Sequence, residues 1–171
     1  MSNWLNVSVL KPFKKENSIQ RIENRTFCTF ETFTKTEKMT SKVIYKGDLR
    51  TEATHLRSGN KIITDAPVDN KGKGETFSPT DLVATALASC MLTIMGIKAN
   101  DMDVNIEGTT AEVEKIMGTD PRRISQVNIH INVPISSDEK TKKILEKAAI
   151  TCPVEKSVSE GMIRDIKFTW A

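Results

Sequence analysis

The sequence predicts an α+β fold. Stretches that alternate apolar and polar residues, as strands do, occur on both sides of one long apolar segment that is typical of a buried helix. The predicted order is three strands, a helix, two strands, two helices and a final strand. A chain of 171 residues is long enough to bury a core of its own.

The first three strands are predicted between residues 42 and 64. Residues 42–47 and 50–56 alternate in polarity, and turn-forming residues at 57–60 lead into a third strand at 61–64. Short turns between neighbouring strands favour an antiparallel arrangement. The following stretch, 65–77, contains one proline and two glycines and is predicted to be a loop.

A long central helix is predicted next. Ser78 is a suitable N-cap, Pro79 fits the first helical position, and Asp81 places a carboxylate near the free amides of the first turn. Apolar residues occupy nearly every face of 82–97, which predicts a helix that is covered on several sides. The run is shorter than the ~20 residues of a membrane-spanning helix, so we expect no membrane association.

The second half of the chain is predicted to form a hairpin, two helices and a closing strand. In chain order these are strands at 104–116 and 124–133 around a turn at 118–121, a helix at 138–149 capped by Ser137, a short helix from Cys152 to Gly161, and a strand at 163–170.

The first 38 residues differ from the rest. They have no clear period and hold seven Lys/Arg against four Asp/Glu, whereas residues 39–171 hold eighteen of each. No apolar core of a signal peptide is present in them. We expect 1–38 to be a weakly structured extension or an over-long start, with Cys28 incidental, and 39–171 to be the functional domain.

Composition argues against several classes of function. The balanced charge of 39–171 and the lack of a basic stripe with aromatics argue against nucleic-acid binding. Three cysteines without a CxxC motif or a Cys/His cluster argue against a structural zinc site and a disulfide scaffold. We therefore expect reduced thiols and a cytoplasmic location.

Cys90 and Cys152 are the candidates for chemistry. Cys152 lies at a predicted helix start, where backbone amides stabilise a thiolate, so from the residues alone it is the more easily activated thiol. Cys90 lies in mid-helix and needs a cation from elsewhere, for which Arg50 and Arg57 are candidates. That both cysteines are unreactive and fill core volume stays open.

Four segments together carry a resemblance. Residues 47–50 (GDLR), 77–82 (FSPTDL), 88–90 (ASC) and 152–154 (CPV) resemble the OsmC/Ohr family of thiol-dependent hydroperoxide reductases, and the likeness runs from about residue 39 to residue 170. The resemblance implies antiparallel sheets wrapped around a central buried helix in an intertwined homodimer. It places two active sites at the subunit interface.

The resemblance also implies roles for three residues. Cys90 would attack the peroxide, Cys152 would resolve the oxidised product, and Arg50 would activate Cys90, which reverses the order suggested by the residues alone. The implied substrates are organic hydroperoxides, with hydrogen peroxide as a further candidate, in defence against oxidative stress. An external dithiol, such as a lipoylated protein, would restore the thiols, and no metal, flavin or nucleotide would be required.

One position departs from the family pattern. The peroxidase branches place a glutamate that orients the arginine where this chain has Thr80, and a threonine cannot make a charged bidentate contact. Asp81, Glu75 and Glu52 are candidates to replace it. Two alternatives therefore stay open: a dithiol protein that acts on another electrophile or sulfur species, and a non-enzymatic dimer that binds a small ligand.

Overall fold

The computed structural model describes residues 39–171, so the predicted extension 1–38 and Cys28 lie outside the described residues. The described chain has the predicted order of elements. They are β1 (Ser41–Gly47), β2 (Arg50–His55), β3 (Lys61–Asp65), α1 (Pro79–Asn100), β4 (Thr110–Thr119), β5 (Arg122–Val133), α2 (Glu139–Ala149), α3 (Pro153–Ser157) and β6 (Ile163–Trp170). The loop between β3 and α1 contains a single short 3-10 turn, Val68–Asn70.

Strands β1, β2 and β3 form an antiparallel sheet, called sheet A here, as the sequence predicts. The β2–β3 ladder begins next to the turn, where Thr54 pairs with Lys61, and ends with Arg50 opposite Asp65. Residues directly opposite each other point to the same face of a sheet. The register therefore places the Arg50 and Asp65 side chains together.

Strands β4, β5 and β6 form a second sheet, called sheet B, which is mixed rather than antiparallel. β4 and β5 form the predicted hairpin, but β6 runs parallel to β5. The predicted antiparallel pairing is found in sheet A and between β4 and β5, whereas β6 joins sheet B in parallel. The reason is that α2 and α3 lie between the two strands and return the chain to the end of the sheet where β5 began.

The start of α1 follows the predicted capping chemistry. Ser78 Oγ accepts a hydrogen bond from the Asp81 amide at 3.1 Å, and Asp81 Oδ2 accepts one from the Ser78 amide at 2.7 Å. This capping box satisfies two amides that would otherwise lack partners at the helix end. The helix continues to Asn100, three residues beyond the predicted apolar run.

The core lies between α1, sheet B and α2. α1 buries one side, β5 contributes the alternate residues that face it, and α2 closes the end. The buried residues are Ala84, Leu87, Ala88, Met91, Met95 and Ala99 from α1, Val127, Ile129, Ile131 and Val133 from β5, and Leu145 and Ala149 from α2. In the described chain α1 alone has the length and composition of a membrane-crossing helix, a test that core helices also pass. Its buried side identifies it as a core helix.

The opposite side of α1 is open in the single chain. Val83 and Ile97 are 45% and 54% exposed. The sequence predicts a helix that is covered on several sides. The single chain covers one side of α1. Apolar side chains of sheet A are exposed as well, which leaves two apolar surfaces in one molecule.

The starts of β4 and α2 and the end of α3 differ from prediction. β4 begins at Thr110 rather than at 104, because Val104 and Ile106 pack against the core from a loop and Gly108 turns the chain at φ 82°. Asp138, not Ser137, caps α2, since its Oδ1 accepts from the amides of residues 140 and 141 at 2.9 and 3.1 Å. α3 ends at Ser157 because Val158 is extended.

Candidate active site

The fold brings Cys90 and Cys152 close together. Cys90 lies in the middle of α1 and is half-buried, whereas Cys152 immediately precedes α3 and is fully buried. Cys90 lies near enough to raise the pKa of the Cys152 thiol, and both thiols are free. Residues 62 positions apart in the chain thus form one dithiol site.

Cys152 is the N-cap of α3, as the sequence predicts. Its Sγ accepts a hydrogen bond from the Glu155 amide at 3.4 Å. Burial nevertheless raises the pKa of the Cys152 thiol, the adjacent Cys90 raises it further, and the helix amides offset only part of this. Desolvation therefore outweighs the helix amides, on which the sequence-based ranking of the two thiols depends.

An ion pair lies directly behind Cys152. Arg164 Nε on β6 donates to Glu155 Oε1 in α3 at 3.0 Å, and Arg164 Nη1 donates to the carbonyl oxygens of Ser159 and Met162. The side chains of Arg164 and Glu155 are 25% and 12% exposed. Together these bonds tie the helix that carries Cys152 to sheet B. No pattern in the sequence indicates this pair.

Arg50 is held by two carboxylates. Its guanidinium pairs with Asp65 Oδ2 at 3.4 Å and with Glu75, and the Glu75 amide also donates to Asp65 Oδ2 at 3.1 Å. The Asp65 side chain is completely buried, whereas that of Glu75 is 59% exposed. The Glu75 amide and then Arg50 lower the pKa of Asp65, and the Glu75 carboxylate raises the pKa of Arg50.

Arg50 is not joined to Cys90 within one chain. In the described part of the chain, no hydrogen bond or ion pair links Arg50 to either cysteine. The other candidate cation, Arg57, is exposed in the turn between β2 and β3. The predicted activating contact therefore requires a second molecule or a movement of sheet A.

Thr80 faces a lysine rather than Arg50. Lys115 Nζ on β4 donates to Thr80 Oγ1 at 2.9 Å and pairs with Asp81 Oδ1 at 2.6 Å. Burial raises the pKa of Asp81, but Lys115 and Ser78 together hold it below its usual value. The start of α1 thus has a different ionic partner from the one that the family pattern implies.

Of the three carboxylates that could replace the family glutamate, Glu75 alone contacts Arg50. Asp81 pairs with Lys115, and Glu52 pairs with Lys61 at 2.9 Å. Asp65 was not among the candidates, since the sequence placed it in a loop. Extending the β2–β3 ladder from its turn by one more pair would have placed it opposite Arg50.

A cleft of about 560 Å³ opens beside Lys115. It lies between the loop that holds Glu75, the first turns of α1 and strand β4. Its lining residues are Glu75, Thr76, Phe77, Asp81, Ala84, Thr85, Val113 and Lys115. No cluster of three or more His, Cys, Asp or Glu side chains suited to a metal ion occurs among residues 39–171. The functional groups of the candidate site are the Cys90 and Cys152 thiols, the Arg50 guanidinium and the carboxylates that pair with it.

The sequence profile of the family described as OsmC-like protein matches residues 72–167, a range that contains both cysteines and all of α1. This chain belongs to the OsmC-like family. The profile thus covers more than half of the chain, and the fold agrees with it. No curated protein sequence matches the chain.

Solved structures of OsmC-like proteins share this architecture. A Psychrobacter arcticus 273-4 protein, named for osmotic stress induction and a detoxification response, is 60% identical, with 77% of this chain and 96% of that chain covered and a TM-score of 0.75. The organic hydroperoxide resistance protein OsmC of Legionella pneumophila is 16% identical, with coverage of 78% and 98% and a TM-score of 0.57. OhrB of Bacillus subtilis is 19% identical, with coverage of 78% and 98% and a TM-score of 0.53. The last two similarities show the α+β fold.

Proposed function

We propose that this OsmC-like protein reduces organic hydroperoxides with Cys90 and Cys152 and so contributes to defence against oxidative stress. The observation that carries the proposal is the arrangement of the two thiols. Cys90 is half-buried, and Cys152 is completely buried close to it. A peroxide from solution therefore reaches Cys90 first, and Cys152 reacts only with the oxidised form of Cys90.

The difference in exposure supports the proposed order of the steps. The Cys90 thiolate attacks the outer peroxide oxygen, the O–O bond breaks, and the leaving alkoxide takes up a proton to become an alcohol. Cys90 is then a sulfenic acid. The Cys152 sulfur attacks the Cys90 sulfur, a disulfide forms, and the hydroxyl group leaves as water with the thiol proton. An external dithiol, such as a lipoylated protein, reduces the disulfide by exchange.

Arg50 is the proposed activating residue. A guanidinium near Cys90 stabilises the thiolate and can donate to the peroxide oxygen at the same time. The Asp65 and Glu75 carboxylates hold Arg50 in place. In the peroxidase branches this role belongs to a glutamate at the position of Thr80. Because Arg50 lies on sheet A, it reaches Cys90 only when sheet A covers α1.

A homodimer would supply that cover. The face of sheet A that carries Arg50 also presents Ile44 and Ile63, which the register places in one row with Glu52 and which are 41% and 52% exposed. The open side of α1 presents Val83 and Ile97. Burial of both apolar surfaces against a second copy would remove them from water, which favours association.

The proposal is tested with two single variants. Cys90→Ser should abolish consumption of cumene hydroperoxide, because it removes the accessible nucleophile. Cys152→Ser should complete one turnover and accumulate a sulfenic acid on Cys90 that dimedone traps. The measurements are peroxide consumption and the mass of the labelled protein. A first turnover that is lost in Cys152→Ser and kept in Cys90→Ser would show that the roles are reversed.

A further inference from the structure

The structure supports a role for two residues that lie outside the thiol pair. Glu155 contributes its backbone amide to Cys152 Sγ at 3.4 Å and its carboxylate to Arg164 at 3.0 Å. One residue therefore connects the sulfur of Cys152 to a cation on the neighbouring strand.

Arg164 restrains the helix start from several directions. Besides the Glu155 carboxylate it binds the Ser159 and Met162 carbonyl oxygens, so it joins α3, the loop after α3 and β6. α3 is only five residues long, and so short a helix is not stable by itself. Its position depends on tertiary contacts such as these.

The Glu155 carboxylate is also dependent on Arg164. Its Oε1 binds Arg164, while Oε2 is buried and makes no hydrogen bond to any residue in the described range. A buried carboxylate that loses its cation is strongly unfavourable and moves to reach water. Such a movement would displace the first turn of α3, and with it Cys152.

We propose that Arg164 and Glu155 are positioning residues that hold Cys152 against Cys90 for the resolving step. The inference rests on the proposed function only in naming Cys152 as the resolving thiol. Because burial raises the pKa of Cys152, little thiolate is present beforehand and the attack depends on placement. A displacement of about 1 Å can cost up to roughly 100-fold in such a step.

The test uses a reaction that requires no peroxide. In the full chain with Cys28→Ser, the thiol reagent 5,5′-dithiobis(2-nitrobenzoate) forms a mixed disulfide at Cys90 and releases one coloured thiolate. Cys152 then attacks the Cys90 sulfur, forms the Cys90–Cys152 disulfide and releases a second thiolate. Two phases of absorbance therefore report the accessibility of Cys90 and the placement of Cys152 separately.

Arg164→Gln should leave the first phase unchanged and slow the second by about tenfold or more. Arg164→Lys keeps a charge for Glu155 but loses the fork that also binds two carbonyls, so it should recover part of the rate. Glu155→Gln keeps the amide at Cys152 and removes the ion pair with a smaller disturbance, and it should slow the second phase as well. Lys167→Gln, which removes an exposed ion pair on the same strand, is the matched control and should match the parent.

The two proposals fail in different ways. A second phase that keeps the parent rate in both Arg164→Gln and Glu155→Gln would overturn the positioning role. Equal slowing of both phases in both variants would also overturn it, because it would indicate a general loss of structure. A parent protein that shows both phases but does not react with cumene hydroperoxide would contradict the peroxidase proposal and leave the positioning result intact.

Discussion

The thiol pair and Arg50 lie in two regions that differ in how much of the site one chain assembles. Cys90 and Cys152 lie close together inside one chain, where α1 and α3 pack on sheet B. Arg50 lies on sheet A, paired with Asp65 and Glu75, while apolar residues of sheet A stay exposed. In the proposed mechanism, disulfide formation therefore needs one chain, whereas peroxide activation needs sheet A to be placed on α1.

The sharpest way to break this comparison is to disturb the face of sheet A that carries Arg50. Ile44→Glu places a charge in the row formed with Glu52 and Ile63, and a charge buried at an interface costs several kcal/mol. We expect the dimer dissociation constant to rise by about 100-fold or more. Peroxide consumption should be lost with it, while the second phase with the thiol reagent should persist. Sedimentation velocity and the two kinetic assays measure these effects.

The matched control is Val43→Glu. Val43 is the preceding residue of β1 and points to the other face of sheet A, opposite Ala53. It should leave association unchanged. A dimer that tolerates Ile44→Glu and is broken by Val43→Glu would show that the face of sheet A away from Arg50 binds the second copy.

Arg50 provides the next largest effect. Arg50→Ala should slow the reaction of Cys90 with peroxide by about 100-fold, a usual cost of removing one group that stabilises developing charge. Arg50→Lys should recover part of the rate, because an ammonium keeps the charge but loses the planar fork. Stopped-flow kinetics of thiol loss measure this, and Arg57→Ala is the control. If Arg50→Ala reacts at the parent rate and Arg57→Ala does not, the activating cation is Arg57.

The two carboxylates that hold Arg50 should differ in their effect on the rate of the peroxide reaction. Asp65→Asn removes a buried anchor and should slow the peroxide reaction by about tenfold, whereas Glu75→Gln removes an exposed ion pair and should change it by about twofold. The pKa of Asp65 is lowered in the folded state, so its stabilising effect is present above its unfolded pKa of about 3.9 and is lost as the pH falls below that value.

The stability of the parent and of Asp65→Asn should therefore converge in acid. Urea unfolding at pH 7 and at pH 3 measures the difference between them. A gap that is unchanged at pH 3 would show that Asp65 acts through packing rather than through charge. Equal rates for Asp65→Asn and Glu75→Gln would show that burial does not decide which carboxylate holds Arg50.

The parts of the fold that could be predicted from sequence are those with local signals. The capping residues of α1 and the polarity pattern of β5 act over a few residues, and both are found as predicted. The parallel pairing of β5 with β6 could not be seen, because it depends on where α2 and α3 return the chain. The cap of α2 was misplaced by one residue because Ser137 and Asp138 carry similar capping chemistry.

The candidate site could be predicted only in part, because a sequence displays local signals and not packing. Cys90, Cys152 and Arg50 lie in short motifs that a sequence displays directly. Asp65 and Glu155 could not be chosen, since their importance comes from burial and from partners distant in the chain. The raised pKa of Cys152 was missed because a helix start is visible in sequence, but desolvation is a property of the packed core.

The most direct test of the central claim is the state of the two cysteines after one equivalent of cumene hydroperoxide. Peptide mass spectrometry of the alkylated protein should find Cys90 joined to Cys152 within the same chain, with a loss of two hydrogen atoms and no stable sulfenic acid. The proximity of the two thiols predicts this product. Two free thiols after treatment, or a disulfide that joins either cysteine to another partner, would contradict the account.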